Sequence, residues 1–282
     1  MHIAIQNAIY KIAMLPSLNS ISPISNVINT NGSVPVVVMA EDFEDYACKY
    51  DSNTKLTNEY LAHQFLQIWE IPVFPAAFVT IKKEHIPESL LSSRIRLHYF
   101  DKPTFGLQYQ DDAIDATNIL LGLKNDYYEL GKFANRFNLL KIALFDLWLA
   151  NNDRNNNNYN ILIQSNEFVP IDHSDIFDGG RLGNELSQLT EEDSLVNSDL
   201  ALTFLNNKTK IEEFVNGLIN KFPIFVQSCG DALPTIIDNL PDEWCNDKPL
   251  LTQNIAASVI ENTDWLAKTN ASFLQLIHNF NR

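Results

Sequence analysis

The sequence predicts an α+β fold in two unequal lobes, a small β-rich amino-terminal lobe and a larger, mainly helical carboxy-terminal one. Three patterns predict it. Short β-branched and aromatic runs crowd residues 24–100, with a single helical stretch among them. Apolar residues recur at intervals of three and four through residues 131–150. Beyond Gly179-Gly180 the apolar patterns have helical spacing throughout. The lobes are assigned as residues 1–106 and 107–282, with the join near residues 106–110.

Residues 24–29, 34–39 and 46–50 read as strands. Asn31-Gly32-Ser33 is a turn signal between the first two, and residues 41–45 make a polar turn before the third. Residues 56–70 carry Ala62, Leu66 and Trp69 on one helical stripe, ended by Pro72 and Pro75. Residues 76–81 and 94–100 read as further strands, so that residues 20–105 form a twisted antiparallel sheet with one helix.

In residues 131–150 the stripe is Phe133, Phe137, Leu140, Leu144 and Leu147. A polar stretch, 151–158, precedes two short strands, 159–164 and 167–171, around Ser165-Asn166. Helices follow at 211–222, 232–239 and 252–280, the last interrupted near Thr269-Asn270. Trp69, Trp148, Trp244 and Trp265 lie among apolar helical positions and are expected in the core. Glu191-Glu192-Asp193 reads as a solvated helix start.

Composition narrows the function. With 20 Lys and Arg against 35 Asp and Glu the formal charge is −15, and the pI is about 4.7. That balance argues against a nucleic-acid partner, which needs a cationic footprint, and against a polybasic membrane surface. Hydrophobic residues make up 45% and charged ones 20%, which excludes general disorder and coiled coil. Cys48, Cys229 and Cys245 are too few and too scattered for a disulfide framework or a zinc site, and read as free thiols. No apolar run reaches the ~18 residues of a membrane span. The first twenty residues lack the pattern of a signal peptide, so a cytoplasmic protein is expected.

The chemistry-bearing segment holds Asp153, Asn158 five residues later, and Asp172 after the hairpin. Phosphoryl transfer from a nucleotide needs an acceptor for a hydroxyl proton and hard oxygen ligands for Mg²⁺. A carboxylate and an amide on one loop, with a second carboxylate at a strand end, supply those groups. The same residues also fit a surface turn, one member of an Asn run in a chain with 32 Asn, and a cap. A second observation shifts the balance. Lys49 ends the third strand, and Glu59 lies on the apolar stripe of the helix, three residues before Ala62 and seven before Leu66. A carboxylate on an inner helix face needs a partner, and Lys49 is the candidate, against the alternative of a surface Lys and a rim Glu.

The ordered motifs are Gly32-Ser33-Val34-Pro35-Val36, Tyr46-Ala47-Cys48-Lys49-Tyr50, Asn58-Glu59, Ile71-Pro72-Val73-Phe74, Asn152-Asp153-Arg154 with Asn158, and Ile171-Asp172-His173. In these the chain resembles the HipA-like kinases, a branch of the protein-kinase-like fold, over residues 24–180. The resemblance implies a bilobal protein-kinase-like fold that uses ATP and Mg²⁺. It implies that Lys49 contacts nucleotide phosphates with Glu59 as ion-pair partner, that Asp153 is the catalytic base, and that Asn158 and Asp172 ligate the metal. It places an adenine-binding hinge between the lobes at Leu107 to Gln110, donating and accepting main-chain hydrogen bonds, with Gln108, Tyr109 and Gln110, and a phosphate loop at Gly32 and Ser33. Ser33 is then the local candidate for autophosphorylation.

Two departures stand out. The phosphate loop has only one glycine, and His173-Ser174 replaces the Phe-Gly that follows the metal-binding Asp in ordinary protein kinases. Arg154 is expected to pair with Asp172 or a phosphate, or to make a surface ion pair. His173 and Asp175 are candidates for orienting or ligating the metal, with a solvated turn as the alternative for Asp175. The Asp-Arg…Asn spacing is also similar to phosphoinositide kinases, which the acidic surface disfavours. The function implied is a kinase acting on Ser or Thr of a protein, itself included. The alternatives are a catalytically weak pseudokinase or toxin–antitoxin-type interaction module, and a small-molecule phosphotransferase of the aminoglycoside or choline kinase type.

Overall fold

The computed structural model describes residues 14–30, 34–123, 126–183 and 185–280. The turn signal Asn31-Gly32-Ser33 lies outside them. Sheet comes first and helices follow, as expected. The first sheet contains β1 (Ser17–Asn19), β2 (Asn26–Val27), β3 (Val36–Met39), β4 (Asp45–Lys49), β5 (Ala76–Thr80) and β6 (Thr104–Gln108). Their order is β1-β5-β6-β4-β3-β2. The sheet is mixed, because β1 runs parallel to β5 while the other pairs are antiparallel.

Side chains alternate across this sheet and so divide two cores. Ala76 and Phe78 of β5 and Phe105 of β6 join the large core shared with the helices. Ala77 and Val79, with Val36, Val38, Tyr46 and Cys48, join a smaller core covered by Ile86, Ile95 and Phe100. Residues 94–100 therefore do not form the expected strand. They end in a 3₁₀ turn, Leu97–Phe100, whose rings pack on Tyr50, with centroids 5.8 Å (Tyr99) and 4.7 Å (Phe100) from it. An aromatic run that caps a core looks like a strand in sequence. The central strand beside β4 and β5 is instead β6.

Helix α1 (Asn53–Ile68) begins at Ser52, whose hydroxyl accepts from Lys55 N. It ends before the prolines. Glu70 adopts φ +53°, Ile71 N bonds Leu66 O and Glu70 N bonds Gln67 O, a Schellman closure. The helix is buried nearly all round, not on one stripe only.

The helical part begins with α2 (Ala116–Leu123), α3 (Tyr127–Gly131) and α4 (Asn138–Leu149). The expected helix over 131–150 is thus shorter, with turns at 132–137. Phe133 is buried all the same, through ring contacts with Phe168 and Phe204, and this mimics helical periodicity. A second sheet joins β7 (Ile114–Asp115), β8 (Ile161–Gln164) and β9 (Glu167–Pro170). Ser165 and Asn166 both take positive φ, +52° and +61°, as a two-residue hairpin turn requires.

A tight turn, α5 (Ile176–Gly180), and a short helix, α6 (Asp199–Phe204), follow. Glu191-Glu192-Asp193 starts no helix. It forms a turn in which Asp193 accepts from Thr190 N and Oγ1. The two helices expected over 211–239 are one, α7 (Lys208–Asp238), which runs through Pro223 and Pro234. Its buried face, including Phe222, Phe225, Val226, Cys229, Leu233 and Ile236, outweighs the lost backbone bonds. The last helical stretch breaks at Glu261-Asn262 rather than at Thr269-Asn270. α8 (Lys248–Ile255) continues as a π-helical turn, Ala256–Ile260, before α9 (Thr263–Phe280). There Asn262 Oδ1 accepts from Trp265 N and restarts the helix. All four tryptophans are buried, and the three cysteines are free thiols. Among the described residues no helix is long and apolar enough to cross a membrane.

Candidate active site

Strand alternation aims Lys49. Its neighbour Cys48 points into the small core, so Lys49 points the other way, toward α1. There its Nζ lies 2.5 Å from Glu59 Oε1 and 2.8 Å from Asp172 Oδ1. The Lys49 charge holds the Asp172 carboxyl down at about 2. Burial pushes Glu59 up to about 7 against the pull of Lys49. Burial also opposes the Lys49 ammonium, yet the two carboxylates outweigh it and hold its pKa above the ordinary value.

Two other buried polar side chains of α1 are paired as well. Asn58 Nδ2 donates to Ser174 O (2.8 Å) and Ile176 O (3.1 Å). His63 Nε2 bonds Phe74 O at 2.9 Å. Buried polar groups without partners are costly, so these bonds fix the rotation of α1 and with it the position of Glu59.

Asp153 is launched from the end of α4. Ala150 takes φ +51°, and Asn151 N returns to Asp146 O, which closes the helix. Two amides then hold the Asp153 carboxylate: Asn158 Nδ2 donates to Oδ1 at 3.2 Å and Asn160 Nδ2 to Oδ2 at 3.0 Å. Burial, then the Asp172 charge, raises the Asp153 pKa. Asp172 follows β9 at φ +59°, and the adjacent Ile171 N bonds Asn160 O at 2.9 Å. Lys49, Glu59, Asp153, Asp172, Ser174 and Asp175 line one cleft of about 380 Å³.

Arg154 does not pair with Asp172, nor is it a surface residue. It is fully buried, and its Nε lies 2.8 Å from Asp146 Oδ2. Its Nη2 donates to His173 Nε2 at 2.9 Å. His173 therefore presents a lone pair at Nε2, and burial holds its pKa well below the ordinary value. It is bound to Arg154 and does not line the cleft with Asp172. Asp175 lines the cleft and accepts from Ser174 Oγ at 2.9 Å.

The donor set fits a divalent cation that shares its coordination with phosphate. Among the described residues no group of three His, Cys, Asp or Glu side chains is arranged to hold a metal unaided. The cleft nevertheless gathers Asp153, Asp172 and Asp175. The negative charge of Asp172 and Asp175 raises the Asp153 pKa, after burial. Asn158 spends its Nδ2 on Asp153, which leaves its amide oxygen as a hard donor.

The segment Leu107 to Gln110 bridges the two sheets. Gln108 Nε2 reaches Glu44 Oε2 at 2.8 Å, and Gln164 Nε2 of β8 reaches Gln110 Oε1 at 2.9 Å. The main-chain N–H groups of Gln108 and Tyr109 are taken by Pro75 O (2.8 Å) and Asp45 O (2.7 Å), so neither is the free hinge donor that the resemblance implies. Gly32 and Ser33 lie outside the described residues. Sequence reasoning missed Asn160, hidden in the abundance of Asn. It also missed Asp146, whose signal was a charge amid Leu144, Phe145, Leu147 and Trp148.

A family model described as HipA-like kinase matches residues 21–276. Among solved structures the chain is similar to a Helicobacter pylori proinflammatory kinase, CtkA, with a TM-score of 0.45, 16% identity, and coverage of 94% of this chain and 98% of that one. It is also similar to the open conformation of CtTel1, with a TM-score of 0.38, 12% identity, and coverage of 91% of this chain and 12% of that one. No curated protein matches.

Proposed function

The chain belongs to the HipA-like kinases, and from that premise we propose that it transfers the γ-phosphoryl group of ATP, with Mg²⁺, to a Ser or Thr hydroxyl of a protein. The observation that carries this reading is Lys49 bonded to both Glu59 and Asp172 in the cleft that Asp153 also lines.

In this reading the amino-terminal sheet and the helical part act as two lobes, with the adenine base against Leu107 to Gln110. Lys49 holds the nucleotide phosphates, and Glu59 keeps its ammonium aimed into the cleft. Asp172 and the amide oxygen of Asn158 are the residues that would hold Mg²⁺, which would supply positive charge against the phosphates during transfer. Asp153 accepts the proton of the incoming hydroxyl, and the amides of Asn158 and Asn160 keep its two oxygens in place. The free thiols suit a reducing cytoplasm, where we place the reaction.

Intact-mass analysis of the protein with ATP and Mg²⁺, alone and mixed with cell extract, tests this. Phosphate on the chain or on a protein of the extract is expected, and Asp153→Ala and Asp172→Ala abolish it while the fold stays intact. Wild-type labelling by Asp153→Ala refutes the assigned base, and no labelling or ATP consumption by the wild type refutes the kinase.

A further inference from the structure

Arg154 uses every donor it has. Its Nε bonds Asp146 Oδ2 (2.8 Å), its Nη1 bonds Tyr159 O (2.8 Å) and Asn160 O, and its Nη2 bonds Ile171 O (3.2 Å) and His173 Nε2 (2.9 Å). A guanidinium has five N–H groups, so none remains for a phosphate. Its partners divide into three sets. Asp146 stands on α4, and Asn151 Nδ2 bonds its other oxygen at 2.8 Å. Tyr159 and Asn160 follow Asn158 directly. Ile171 and His173 flank Asp172. One rigid planar fork thus ties the arm that carries Asn158 to the arm that carries Asp172.

We infer that Arg154, anchored by Asp146, is a positioning residue that sets the spacing between Asn158 and Asp172 and so tunes how this site takes a metal–nucleotide. The inference rests on the kinase reading above. A fully buried guanidinium is expensive, and an apolar pair of similar size is often as stable as a buried ion pair. Here the ion pair also supplies geometry, because only a planar fork reaches three carbonyls and an imidazole at once. Lysine keeps the charge and the length but offers three donors from a single atom.

The experiment is calorimetric titration with a non-hydrolysable ATP analogue, with and without Mg²⁺. It compares the wild type, Arg154→Lys, and the double variant Asp146→Leu/Arg154→Met. The double variant removes the ion pair together with the fork and fills its volume with apolar side chains, so no buried charge is left unpaired. Circular dichroism and the unfolding temperature check both. The wild type is expected to bind the analogue more tightly with Mg²⁺. In both variants that gain shrinks at least about tenfold, the size seen when groups that orient metal ligands are removed, while metal-free affinity stays within about twofold. A merely structural role lowers both affinities together, and that result overturns the inference, as does a wild-type Mg²⁺ gain in either folded variant. A wild type with no Mg²⁺ gain overturns the kinase reading itself, and this inference with it.

Discussion

Gly180 packs against Thr54 so closely that a Cβ there would lie 2.3 Å from Thr54 Cγ2. Gly180 also takes φ +87°, and Phe177, Asp178 and Gly179 before it are left-handed too. The turn after Asp172 thus lies flush on the first turn of α1, and the Asn58 bonds to Ser174 O and Ile176 O lock the two together. The Lys49–Glu59 pair and Asp172 therefore belong to one packed unit.

Gly180→Ala introduces both a clash and a left-handed alanine. It is expected to cost about 1–3 kcal/mol of stability and to lower turnover by displacing Asp172 from Lys49. Thr54→Ala/Gly180→Ala relieves the clash but not the strain, so it recovers only part of the loss. Urea unfolding of Gly180→Ala, Thr54→Ala and the double variant reads both terms, and an additive double variant would contradict the contact.

Asn158 and Asn160 both hold Asp153, but only Asn158 is assigned to the metal. Asn160→Ala is expected to lower kcat about tenfold with little change in the Mg²⁺ concentration needed. Asn158→Ala raises that concentration as well. Steady-state kinetics over a range of Mg²⁺ separates the two, and the division of roles fails if both variants shift alike.

Lys49→Met leaves Glu59 and Asp172 without their shared cation. The loss of one partner of a buried pair costs about 3–5 kcal/mol, and turnover disappears with it. Lys49→Met/Glu59→Leu removes the more deeply buried of the two stranded carboxylates. Thermal unfolding should then recover in part while turnover stays absent, which separates the catalytic contribution of Lys49 from its part in folding.

Burial lowers the His63 pKa to about 4 from an ordinary 6.5. Between those values the unfolded chain binds a proton that the folded chain refuses. This contribution to stability is complete above pH 6.5 and is lost as the pH falls toward 4. Ring ¹⁵N shifts should show a neutral His63 protonated at Nε2, since Nε2 donates to Phe74 O while Nδ1 accepts from Gln64 and Gln67. An imidazolium signal from His63 at pH 6 would rule this out.

The local sequence by itself determined the β-then-helix order, the hairpin at Ser165-Asn166, and the direction in which Lys49 and Glu59 face. Strand and helix periods depend only on a residue's nearest neighbours in the chain, so these features were legible. The local pattern failed wherever a distant partner gave a residue its environment. Tyr99 and Phe100 follow the needs of Tyr50, and Phe133 is buried by Phe168 and Phe204. α7 crosses two prolines because its buried face is large. The candidate site divides in the same way. Lys49, Glu59, Asp153, Asn158 and Asp172 could be picked out by chemical type and order. The meeting of Lys49 with Asp172, 123 residues away, the cradle from Asn160, and the burial of Arg154 against Asp146 were settled only in three dimensions. A charge is stable in the interior only where the fold brings it a partner, and no local pattern records which distant partner that is.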